Sequence, residues 1–161
     1  MDATLTRDHL ARLLDEENTA LAEFESLLER EHLALRSRDI DALEALAESR
    51  QSSITQLLKL EDERRSVCSM HGHATDLGGL ARLIAWCDPR RSLSPAYDEC
   101  STRARKCREL NDRNGVLVGA QMKRVEGLLG AITGTSSTPR EYGPRRGAYA
   151  QPSGQVLSAE A

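Results

Sequence analysis

Residues 94–132 read SPAYDECSTRARKCRELNDRNGVLVGAQMKRVEGLLGAI. Ser94 before Pro95 predicts a helix start, with serine as the N-cap and proline in the first helical position. A seam then runs through Tyr97, Cys100, Ala104, Cys107, Asn111, Asn114, Val118, Gln121, Val125, Leu128 and Ile132. Its steps alternate three and four, the spacing that keeps one face of a helix against a partner. Three amides stand in the middle of this seam, and each would need a hydrogen-bond partner once buried. Gly115, Gly119 and Gly127 interrupt the same helix. Each costs about 1 kcal/mol relative to alanine, so they either admit another helix closely or leave the stretch pliable.

Upstream, Leu10, Leu14, Leu21, Phe24, Leu28 and Leu35 fall on one three-four seam, widened by Leu13, Ala20 and Leu27. That predicts a first helix from about Thr6 to Arg36. Ser37-Arg38-Asp39 is a turn, with Asp39 as the N-cap of a second helix from Ile40. The second seam reads Leu43, Ala47, Arg50, Ile54, Leu57, Glu61, Arg64 and Cys68. A connection this short implies an antiparallel hairpin whose arms, at roughly 30 residues, are about 45 Å long. Glu17 and Glu31 share the first seam's register, and Arg64 and Arg50 are their expected partners across the hairpin. The connector at 71–94 is expected to hold a short apolar turn, Leu80 to Trp86, before a break at Asp88-Pro89. Trp86, the single tryptophan, is expected to cap the end of the bundle.

Aromatic residues make up 3% of the chain and charged residues 29%. This composition suits narrow leucine seams flanked by charge better than a thick core. The expected fold is all-α, an elongated antiparallel bundle of three long helices: a hairpin plus a returning third helix. Residues 1–133 would form this domain. Residues 134–161, rich in Ser, Thr, Gly and Pro, would form a flexible tail disordered in isolation. A net charge of −3 offers no global attraction to nucleic acid or acidic membranes. No apolar run could span a bilayer and no signal-peptide core is present, so the expected location is the cytoplasm.

Catalysis is not expected: no phosphate loop and no nucleophile–base constellation can be found. Cys68, His71, His73 and Cys87 carry the right ligand chemistry for zinc but no finger spacing, so neither metal nor cofactor is expected. Cys100 and Cys107 lie seven apart on one helix, about 10 Å between Cα atoms, and cannot pair. His32 reads as a surface histidine. Arg90-Arg91 and Arg145-Arg146 are short basic patches in solvated loops. Asn111, Asn114 and Gln121 have two balanced readings. They are register-setting polar positions within the chain's own bundle, or they line a groove for an incoming amphipathic helix beside Leu117, Val118, Val125 and Leu128. In the tail, Tyr142-Gly143-Pro144 is either an ordinary turn or an aromatic docking anchor.

The motifs Glu109-Leu110-Asn111-Asp112-Arg113-Asn114-Gly115-Val116-Leu117-Val118, Leu128-Leu129-Gly130-Ala131-Ile132-Thr133-Gly134 and Tyr142-Gly143-Pro144 occur in that order. Together with the two long N-terminal helices, they resemble the FlgN-type flagellar export chaperones over most of residues 5–147. The resemblance implies a cytoplasmic, non-enzymatic chaperone of the flagellar type III export system. Its cargo would be the hook-filament junction proteins, whose C-terminal helical segments it masks before export. On this resemblance Asn111, Asn114, Leu117, Val118, Gln121, Val125 and Leu128 would meet cargo. Tyr142, Gly143 and Pro144 would dock on the cytoplasmic domain of the export gate. Binding of nucleic acid and insertion into a membrane are not expected, and the free protein could form a homodimer. The competing reading is a generic helical scaffold whose amide seam pairs with a second copy.

Overall fold

A computed structural model describes residues 2–133, and aspartates set where its helices begin. Helix α1 spans Ala3–Ser37, α2 Ile40–Met70, α3 Leu77–Cys87 and α4 Ser94–Thr133. Asp2, Asp39 and Asp76 each sit in extended backbone and accept an N–H of the first turn, from Thr4, Ala42 and Gly79 respectively. Such caps satisfy donors that no intrahelical carbonyl can reach. At α4 the carboxylate of Asp88 accepts the Leu93 N–H at 2.7 Å, and the Tyr97 N–H bonds to the Leu93 carbonyl at 3.0 Å. The cap position is therefore Leu93, and Ser94 is already helical; the expected serine cap is displaced by one residue.

The connector differs from expectation. The segment expected as an apolar turn is helix α3, which is eleven residues long. Asp76 caps it, and Gly79 lets its first turn press onto the preceding chain. A β-carbon there would stand 1.7 Å from the carbonyl oxygen of Ala74. Only glycine permits that approach.

The chain divides into two compact units, Met1–Leu117 and Val118–Ala161. In the first, α1 and α2 form the antiparallel hairpin, turning through Arg38 in the left-handed conformation (φ 55°). Both expected charge pairs are present: Arg50 with Glu31 at 3.0 Å and Arg64 with Glu17 at 3.4 Å. Leu10, Leu13 and Leu14 of α1, Leu60, Val67 and Cys68 of α2, Leu80, Leu83 and Cys87 of α3, Leu93 and Cys100 share one buried cluster. Leu21, Leu28, Cys107 and Leu110 form a second. Each buried leucine contributes about 1.5–3 kcal/mol by leaving water. The described residues contain no strand, and no helix among them is long and apolar enough to cross a membrane.

Candidate functional site

The amide seam of α4 meets the hairpin in a polar layer. Arg50 of α2 donates through Nη1 to both carboxylate oxygens of Glu31 at 3.0 Å, and through Nη2 to Asn111 Oδ1 at 2.6 Å. Asn114 is 2% exposed. Its amide nitrogen donates to the Leu28 carbonyl at 2.9 Å and to Glu31 Oε1 at 3.1 Å. A backbone carbonyl can only accept, which fixes the amide's orientation and leaves Oδ1 to take the proton of His32 Nδ1 at 3.2 Å. The guanidinium of Arg50 also lies 5.9 Å from the centre of the Phe24 ring, within cation–π range. His32 is accordingly a half-buried member of this network, not the surface histidine expected.

Asn114 is the last of three donors evenly spaced along α4. Cys100 Sγ lies 3.4 Å from the Leu14 carbonyl, Cys107 Sγ 3.5 Å from that of Leu21, and Asn114 Nδ2 reaches that of Leu28. Seven-residue steps on both sides make α1 and α4 parallel neighbours in heptad register. Burial drives the thiol of Cys100 up to about 12 and that of Cys107 up to about 11. Neither forms a thiolate at neutral pH, so both are structural donors and not nucleophiles. Outside the seam, Arg103 and Lys106 pair with Glu25, and Arg113 with Glu29.

Beyond Asn114 the character of α4 changes. Leu117, Val118 and Gln121 are half-buried. Val116 is 72% exposed, Met122 61% and Val125 54%. A β-carbon added at Gly115, Gly119 or Gly127 would meet nothing within 4 Å. These glycines therefore serve no close packing within the described residues. The side chain of Leu128 and the whole of Tyr142-Gly143-Pro144 lie outside what the structure describes.

Comparison with protein-family models gives a match to FlgN, described as FlgN protein, over residues 1–150. The chain belongs to the FlgN family. No curated protein and no solved structure matches it. FlgN proteins are flagellar export chaperones and not an enzyme family, so the surfaces that matter in this FlgN chain are those that could hold another polypeptide.

Of the seven residues expected to meet cargo, the structure draws Asn111 and Asn114 into the bundle's own network. It leaves Val125 and its neighbour Met122 exposed to solvent. Met122 and Val116 lie off the three-four seam, so periodicity alone did not single them out. Their signal is exposure itself: each is a large apolar side chain left in solvent on α4. No group of three or more His, Cys, Asp or Glu among the described residues could hold a metal ion. Cys68 and Cys87 are buried core thiols, each pushed up by desolvation.

Proposed function

We propose that this FlgN-family chain is the cytoplasmic chaperone of hook-filament junction proteins, and that it masks their C-terminal helical segments before type III export. The cargo surface is the distal part of α4, with Val118, Gln121 and Val125 on the three-four seam and Met122 beside them; Leu128 is assigned to it from its place in the sequence seam alone. Asn111 and Asn114 hold the register of the bundle instead, and Leu117 borders the two roles. The observation that carries the assignment is the exposure of Met122 and Val125 on a helix whose earlier apolar turns are buried. An amphipathic segment that polymerises outside the cell needs such a surface while it is inside, and apolar burial without ATP is reversible. In the tail, 134–161, Tyr142-Gly143-Pro144 is assigned to docking on the cytoplasmic domain of the export gate, with the tyrosine as its anchor.

Calorimetric titration of the full chain with a junction protein's C-terminal segment tests this. The expected result is a 1:1 complex that Val118→Glu with Val125→Glu weakens by about tenfold or more while the helical circular-dichroism signal is kept. Tyr142→Ala should leave that affinity within a few-fold and impair export. If the double variant instead converts a dimer of the free protein into a monomer and leaves cargo affinity intact, the face is a self-association surface and the scaffold reading replaces this one.

A further inference from the structure

At the α3 end of the first unit stands an exposed aromatic, with arginines on the same helix and in the loop that follows it. Trp86 leaves 45% of its surface in solvent, although the rest of α3 supplies Leu80, Leu83 and Cys87 to the core. Its ring lies against His71, with centroids 5.3 Å apart and planes tilted by 50°. His71 is itself fixed. The Thr6 hydroxyl donates to the Asp2 carbonyl at 3.1 Å, so it can only accept from His71 Nε2–H, 3.2 Å away. Trp86 thus has a braced inner side and an open outer one. Leu5 and Met70, adjacent in sequence to these two partners, are also exposed.

Three arginines accompany it. Arg82 precedes Trp86 by one helical turn on the same face, and Arg90 and Arg91 follow in the loop to α4. All three are exposed, and none forms an ion pair among the described residues. The loop that presents two of them is well anchored. Buried Asp88 accepts the Ser92 hydroxyl and the Leu93 N–H, each at 2.7 Å, and the Arg91 N–H donates to the Asp88 carbonyl at 3.0 Å. Arg91 sits at φ 58°, a conformation that glycine adopts more cheaply than any residue with a β-carbon.

We propose that this surface docks an acidic segment of a protein partner, with Trp86 receiving an apolar side chain and Arg82, Arg90 and Arg91 receiving carboxylates. Tryptophan and arginine are the residues most often dominant at protein interfaces, and unpaired arginines both steer and select an acidic partner. Discrete carboxylates fit better than a phosphate lattice or an anionic bilayer. Asp8 and Asp76 stand exposed on the flanking segments, and the whole chain carries −3, so an extended array of negative charge would be repelled. The proposal does not rest on the assignment of the cargo face.

Because the chain holds one tryptophan, its fluorescence reports this site alone. The full chain is titrated with a short synthetic amphipathic helix bearing a leucine seam flanked by glutamates. Parallel titrations use the same helix with lysine flanks, a single-stranded oligothymidylate and phosphatidylglycerol vesicles. The glutamate peptide is expected to give a saturable blue shift of Trp86 emission, lost at high salt. Arg90→Glu with Arg91→Glu should weaken it by about tenfold or more while the thermal melt is unchanged. Absence of a saturable shift, an equal shift in the arginine double variant, or a stronger response to the lysine peptide, the oligonucleotide or the vesicles would each overturn the proposal.

Discussion

Around α3, Leu10, Leu13 and Leu14 meet Leu60, Val67, Leu80 and Leu83 in a core made almost wholly of aliphatic side chains. Toward the hairpin turn, the space between the same α1 and α2 and the middle of α4 holds Glu31, Arg50, Asn111, Asn114 and His32. The two regions do different work. Aliphatic packing supplies most of the driving force but tolerates a helix sliding by a turn, because one leucine resembles the next. The polar layer adds less, yet a slip would leave Asn114 and Glu31 buried without partners, so it fixes which residues face each other.

The sharpest way to break this contrast is to cut each region once. Leu83 is fully buried at the centre of the aliphatic cluster, and Leu83→Ala should cost about 2–5 kcal/mol in urea unfolding. Asn114→Ala should cost about 1–3 kcal/mol, since it strips the Leu28 carbonyl, Glu31 and His32 of one partner each. The same variant measured against cargo separates the two readings of the amide. A lowered melting temperature with cargo affinity within a few-fold supports a register role. An unchanged melt with lost binding would move Asn114 to the cargo surface and break the comparison.

A smaller effect sharpens the boundary along α4. Gly115→Ala meets open space and should stabilise the helix by about 0.5–1 kcal/mol, read as a higher melting temperature. Gly79→Ala, where the β-carbon would collide with the Ala74 carbonyl, should instead destabilise. Opposite signs from one substitution would show that the α4 glycines are not packing devices.

Much of the hairpin was legible from sequence because its signals are local and redundant. Asp39 marks the start of α2, and the seven-residue recurrence of Leu14, Leu21 and Leu28 marks the buried stripe of α1. Counting outward from the turn puts Glu31 opposite the mid-forties and Glu17 opposite about residue 60, close to the Arg50 and Arg64 that pair with them. What the pattern could not decide was the partner of each amide, since a buried asparagine looks the same whether it bonds to its own bundle or to a guest. Helix α3 is hard to tell from a turn in the sequence, because Gly78 and Gly79 stand in its first turn. The contact that requires Gly79, with Ala74, is set by the path of the connector and leaves no periodic trace. The contact of Trp86 with His71 joins α3 to the end of α2 and leaves no trace in the spacing.

The smallest expected effect compares the two ion pairs themselves. Glu31 accepts from Arg50 and from Asn114, whereas Glu17 has a single contact with Arg64, at 3.4 Å, and lies near Glu61. Burial, opposed by Arg64 and reinforced by Glu61, pushes the Glu17 carboxyl above its ordinary value. A carboxyl raised in the folded state makes its anion a net cost. That cost is absent below the unfolded pKa, grows as pH rises toward the folded value, and is fully present at neutral pH. Glu17→Gln keeps an acceptor for Arg64 and removes the charge, so at pH 7 the variant should melt no lower than the parent. Its advantage should vanish near pH 4. Glu31→Gln loses charge-assisted bonds from two donors and should melt lower at pH 7. Equal losses from the two substitutions at neutral pH would mean that both pairs stabilise alike, and that the added amides of the hairpin-end layer contribute nothing to the difference.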